Sequence, residues 1–225
     1  MTNKFYYLIE SLKENMMLVD LTVKEFLNKV AGKDPVPGGG SIAALNGAIA
    51  SSLAAMVAGL TIGKKGYEEQ LELMSKISSL ALSEKEKFVA DVDKDSEAYD
   101  RVFGCFKMPK NTDEEKKARS AAIQEATKHA AMVPMQVARN AYAMMDMIAE
   151  VAHKGNSNAV TDACVAMMAA RAAVLGALMN VRINLGSLKD KEFVDELQSE
   201  ADRLEYDACE KERVLLSQIN EKLKV

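Results

Sequence analysis

The chain is 225 residues long, 48% hydrophobic and 28% charged, with a formal net charge of -4. That composition belongs to a globular fold, and the length suits one domain with a substantial core. A mildly acidic balance with interspersed signs excludes the concentrated basic surface that a sequence-independent grip on nucleic acid requires.

Helix signals recur from end to end, with no alternating β-branched run that reads as a strand, so the expected fold is all-α. Lys4, Glu10, Lys13, Glu14 and Asp20 interrupt any signal-peptide apolar run at the start, which points to a cytoplasmic protein. A first helix is expected over residues 4–17 and a short one over 22–30, where Thr22 and Glu25 have capping-box spacing. Pro35-Val-Pro-Gly-Gly-Gly40 then breaks the chain, and an Ala-rich helix follows from Ser41 to about Gly63. It is uncharged and long enough to span a bilayer, but its Ala, Ser and Gly content favours a buried core helix over a membrane span. Ala44, Gly47, Ala48, Ser51, Ala55, Ala58 and Gly59 share one face of it, so other helices can approach closely and make it the centre of a single-domain bundle.

After the turn Lys64-Lys-Gly-Tyr67, a long helix is expected to about Gly104, followed by a connection over residues 108–112. Thr112 and Glu115 repeat the capping-box spacing, and Pro134 is expected to kink that helix or start its successor, which ends at Gly155. Residues 156–158 read as a turn, residues 159–185 as a nearly uncharged helix, and Asp190 as the cap of a final amphipathic helix ending near Leu223. The 14 methionines read as core filler. Cys105, Cys164 and Cys209 stand far apart and read as reduced core thiols.

Few residues offer chemistry. Gly38, Gly39, Gly40 and Ser41 deliver unhindered backbone N–H groups to a helix start, which suits an anion, although tight helix packing explains the glycines equally well. Lys64 and Lys65 follow the other end of that helix, where cations also suit the dipole. About 23 residues at ~1.5 Å each separate Ser41 from Lys64, so one small anion can meet both only if a second subunit helps.

Asp95 is the most informative residue. Phe88, Val92, Tyr99, Val102 and Phe106 form a three-and-four seam with Asp95 in its gap, whereas Asp93 and Glu97 lean off it. A carboxylate on an apolar stripe is expected to have a raised pKa suited to a general base or acid, the structural alternative being a buried ion pair. Asp162 lies in the first turn of its helix, where the dipole alone can explain it. Asn180 and Asn184 share a face and could hydrogen-bond a heterocycle. His129 and His153 lack a ligand-spaced partner, so no metal is expected.

Pro37-Gly-Gly-Gly-Ser41, Leu60-Thr-Ile-Gly-Lys-Lys-Gly-Tyr67, Asp95-Ser-Glu-Ala-Tyr99, Met108-Pro-Lys-Asn-Thr112, Gly155-Asn156 with Asp162, and Asn180 with Asn184 together resemble the cyclodeaminase/cyclohydrolase family. The resemblance covers residues 22–225 and leaves an N-terminal extension, so the expected division is 1–20 and 21–225. It implies an all-helical homodimer that acts on a tetrahydrofolate derivative without metal or other cofactor, with Asp95 tied to catalysis. In the mechanism expected for such a substrate, Asp162, Asn180 and Asn184 would orient the pterin and water, while Lys64, Lys65 or the glycine-rich helix start would meet the glutamate carboxylates. The lysine-rich turn and the Met108–Thr112 stretch look closer to stand-alone methenyltetrahydrofolate cyclohydrolases than to formiminotetrahydrofolate cyclodeaminases. A non-catalytic helical binding or scaffold protein, the remaining alternative, predicts an exposed and replaceable Asp95.

Overall fold

The computed structural model describes residues 17–223, and the helix expected over residues 4–17 falls outside them apart from Met17. Six α-helices account for most of the described chain: α1 Val23–Val30, α2 Gly39–Gly59, α3 Leu71–Phe106, α4 Asp113–Lys154, α5 Val160–Leu185 and α6 Lys191–Leu223. No strand occurs among the described residues, in agreement with the all-α expectation.

Local chemistry sets most of these boundaries. In both capping boxes the threonine hydroxyl accepts from the backbone N–H three residues on, and the glutamate side chain accepts from the threonine N–H, at Thr22–Glu25 and Thr112–Glu115. Asp190 caps α6 through the Phe193 N–H, at 3.2 Å. Gly63 and Gly66, at φ 73° and 87°, make the turn after α2, a conformation that side-chain-bearing residues rarely adopt.

Helix α2 is the central element, packed against α3, α4 and α5. Its small residues permit this: a Cβ on Gly47 would lie 2.6 Å from the Phe88 ring of α3, and one on Gly176 of α5 would lie 3.3 Å from the Cβ of Ala43. Most of the expected small-residue face is buried, but Gly59 is exposed because the helix ends there. Helix α6 lies against α5 and α4 and is tied to them by Arg139–Glu200, Arg171–Glu212 and Arg182 with Asp202 and Glu205. Arg139 holds Glu200 through two parallel bonds of 2.8 and 2.6 Å.

Several expectations need correction. Helix α4 runs through Pro134 as one element of 42 residues. Proline removes the N–H that would bond the carbonyl of Ala130, and the side-chain amide of Asn184 in α5 donates to that carbonyl instead, at 3.2 Å. The cysteines are free but none is buried: Cys105 and Cys164 are partly exposed and Cys209 is exposed. The methionines divide, with Met74, Met135, Met144, Met145 and Met167 in the core and Met56, Met168 and Met179 on the surface.

Candidate active site

The N-terminus of α2, the middle of α3 and the C-terminal part of α5 converge on a cleft of about 300 Å³. Gly38, Gly39, Asp95, Tyr99, Asn180 and Asn184 contribute to its walls. Helices α2 and α5 run antiparallel, as the meeting of Gly39 with Asn180 at one end and of Leu60 with Asn156 at the other requires. The motif glycines and the two asparagines, well over a hundred residues apart in sequence, therefore share one end of the bundle.

Asp95 sits against the first turn of α2. A Cβ on Gly40 would lie 2.0 Å from its Oδ1, so the missing side chain is the space that the carboxylate fills. The Ser41 hydroxyl reaches Oδ2 at 3.3 Å and the carbonyl of Val92 at 2.9 Å, both as acceptors. Burial pushes the Asp95 pKa up, opposed in part by the Ser41 hydroxyl and backbone N–H. The free N–H groups at the start of α2 also favour its anion. The result is a carboxylate desolvated enough to be basic, yet held in one place by its anchor.

The asparagines are oriented by their own helix. Asn180 Nδ2 donates to the Gly176 carbonyl at 2.8 Å. Asn184 Nδ2 donates to the Asn180 carbonyl at 2.8 Å and to that of Ala130 at 3.2 Å, which uses both of its protons. Asn184 is left with an acceptor oxygen to offer a ligand, suited to the N–H groups of an aminated heterocycle.

The other predicted residues lie elsewhere. Lys64 donates to the side-chain oxygen of Asn156, and its ammonium lies 5.6 Å from the centre of the Tyr67 ring. Asn156 is buried and donates its N–H to Thr61 Oγ1 at 2.8 Å and its amide to the Leu60 carbonyl at 3.2 Å. Hydrogen bonding with the Ser157 side chain and from its backbone N–H holds the Tyr67 pKa below its usual value, with the Lys64 charge adding to it. Lys65 is exposed beside this group, and Asp162 is at the same end of the bundle in the first turn of α5. From Asp162 to Asn180 is 18 helical residues, about 27 Å, so one subunit does not unite Asp162, Lys64 and Lys65 with the Asp95 cleft.

The α3 seam holds at Phe88 and Val92, which are buried, and then opens: Tyr99 and Phe106 are exposed. Beyond Val92 the α3 face turns toward the cleft, so its apolar residues are partly wall and partly surface. Asp93 is not simply solvated, because its Oδ1 accepts the Leu18 N–H at 2.6 Å and its Oδ2 is buried without a hydrogen bond. Sequence reasoning missed Pro35, Val36, Ala130 and Ile183 as cleft walls. Apolar side chains carry no chemical signature, and only the crossing of the helices identifies them.

His129 and His153 are exposed, and among the described residues no three His, Cys, Asp or Glu side chains are grouped to hold a metal ion. A more open recess of about 390 Å³ between α4, α5 and α6 contains Tyr142, His153, Asp207 and Lys211. It lies away from the Asp95 carboxylate, and Lys211 there is paired with Asp146.

The fold and much of the sequence are shared with known proteins. Residues 22–203 match the formiminotransferase-cyclodeaminase family, and the chain belongs to it. It is 40% identical over 183 residues to a methenyltetrahydrofolate cyclohydrolase of Methylorubrum extorquens, covering 81% of this chain and 88% of that one. It is 32% identical over 187 residues to the formimidoyltransferase-cyclodeaminase of Rattus norvegicus, covering 83% of this chain but only 35% of that larger protein. The crystal structure of a formiminotetrahydrofolate cyclodeaminase from Thermotoga maritima superposes with a TM-score of 0.81 at 30% identity, covering 91% of this chain and 98% of that one.

Proposed function

We propose that the chain hydrolyses 5,10-methenyltetrahydrofolate to 10-formyltetrahydrofolate, with Asp95 as the base. The observation that carries this reading is the desolvated Asp95 carboxylate, seated in the space left by Gly40 and facing a cleft with fixed amide acceptors. The cyclohydrolase name of a 40% identical relative of nearly the same extent supports it over the deaminase reaction.

The substrate is a cationic amidinium, already electrophilic, so a positioned base and a favourable field are what the chemistry needs. The water oxygen bonds to the bridging carbon as Asp95 takes one of its protons. Breaking the bond from that carbon to N5 forms the formyl C=O; Asp95 returns its proton to N5, and the remaining hydroxyl proton leaves to solvent. The Asp95 anion also faces the cationic substrate, and Asn180 and Asn184 hold the pterin. No cofactor enters these steps.

The protein acts as a homodimer in this reading. Ile49 and Met56 on α2, Leu60 at its C-terminal cap, and Val165, Met168, Met179 and Ile183 on α5 are all exposed, Ile183 to 76%. These two adjacent helices are each long and apolar enough to cross a membrane, but α2 packs along the charged helices α3 and α4, which a bilayer would have to accommodate as well. A second copy covers such a face without that cost. Pairing α2 antiparallel with its counterpart carries the partner's Lys64, Lys65 and Asp162 to the mouth of the Asp95 cleft. Three free thiols suit the reducing cytoplasm.

Loss of methenyltetrahydrofolate absorbance is the test, at a pH where spontaneous hydrolysis is slow, with the wild type compared with Asp95→Asn. Acceleration that falls about 10²- to 10⁴-fold in the variant is expected. Ammonia release from formiminotetrahydrofolate without cyclohydrolase activity would transfer the protein to the deaminase reaction.

A further inference from the structure

The cleft that holds Asp95 is small. At about 300 Å³ it stands at the lower end of the range for small-molecule sites, enough for the fused-ring reacting end of a folate but not for its whole length. The aromatic and glutamyl arm must lie outside, on whatever surface the mouth presents.

One surface leads directly from the reacting group. Asp95, Tyr99, Phe103 and Lys107 are four residues apart on α3 and its C-terminal cap, and so fall on one face. Tyr99 forms part of the cleft wall. Its ring and that of Phe103 are nearly parallel, 10° apart, with centroids separated by 6.2 Å, which makes an offset, stepped platform. Both residues are more than two-fifths exposed. The Lys107 ammonium is 4.5 Å from the Phe103 ring centre, and Lys107 forms no ion pair among the described residues. Helical side chains lean toward the N-terminus, so this cation is drawn back over Phe103, which lies eight residues or about 12 Å from Asp95.

Acid, aromatic platform and unpaired cation thus follow in the order of the chemical parts of the substrate: reacting amidinium, benzoyl ring, carboxylate. We propose that Tyr99, Phe103 and Lys107 form the subsite for the arm of the folate, with the p-aminobenzoyl ring over Phe103 and a glutamyl carboxylate on Lys107. This rests on the folate reading above and extends it. The strip binds without touching the reacting atoms, so it acts on affinity.

The test uses the full chain with two substrates, methenyltetrahydrofolate and its pteroate counterpart, which lacks the glutamate. Phe103→Ala is expected to raise KM about three- to tenfold on both, with little change in kcat. Lys107→Ala should raise KM about as much on the glutamate-bearing substrate alone, because the pteroate compound keeps only the carboxylate on its benzoyl ring, over Phe103, and has no glutamyl carboxylate to lose. Unchanged KM for both variants on an active enzyme would overturn the subsite. So would a silent Lys107→Ala beside a Lys65→Ala that raises KM for the glutamate-bearing substrate alone, since the tail would then cross to the partner. A wild type that hydrolyses neither substrate would instead refute the cyclohydrolase reading, and this subsite as argued from it.

Discussion

Gly40 and Asp95 occupy one another's space: a Cβ on the glycine would lie 2.0 Å from one carboxylate oxygen and 2.6 Å from the other. Gly40→Ala must therefore displace the carboxylate or open α2 from α3. Turnover is expected to fall at least tenfold, with about 1–3 kcal/mol lost from stability, the usual scale for overpacking. Steady-state assays and urea unfolding of the same preparation check both.

The raised pKa of Asp95 has a consequence for stability as well as rate. Its folded-state pKa lies above the unfolded one, so its contribution is fully present below the unfolded pKa and is lost as pH rises through the folded value. At neutral pH the charged, desolvated group costs stability. Asp95→Asn should accordingly melt above the wild type at neutral pH, and the gap should narrow as pH falls from the raised folded-state value to the usual aspartate value. A gap that widened on acidification would mean that Asp95 is stabilised as the anion, contrary to its burial.

Pro134 and Asn184 are coupled through the Ala130 carbonyl, which takes its hydrogen bond from Asn184 because Pro134 has none to give. Pro134→Ala would restore a backbone donor and release one arm of the Asn184 amide. A mid-helix proline costs about 3 kcal/mol against alanine, so the variant should be more stable. It should also bind substrate more weakly, as Asn184 gains freedom. Thermal melts and KM measured together decide this, and an unchanged KM would separate Pro134 from the site.

A charge placed on the exposed α2 and α5 faces should split the proposed dimer. Ile49→Asp with Met168→Asp is expected to sediment as a monomer and to lose most activity, if residues from a partner complete the cleft. Retention of the wild-type sedimentation coefficient would move the interface elsewhere.

The helices were readable because their determinants are local. Thr22 with Glu25 and Thr112 with Glu115 act over three residues, and a cap forms wherever that spacing precedes a helical stretch. Asp95 was readable for a related reason: a carboxylate in an apolar stripe of one helix stands out before any neighbour is known. That Pro134 starts no new helix was not readable, because the compensating donor is Asn184, on another helix.

By itself, the sequence determined that the chain is helical, where most helices begin, and that Asp95 and the Gly38–Ser41 run are the chemically unusual features. Only the tertiary structure decided which of these meet. The antiparallel packing of α2 and α5 puts Asn180 and Asn184 beside Gly39 and leaves Lys64, Lys65 and Asp162 at the far end. It also seats the Asp95 carboxylate in the gap at Gly40. Periodicity specifies which face of a helix is apolar, but the direction and depth at which two such faces cross depend on side chains from both, and that information is divided between distant parts of the chain.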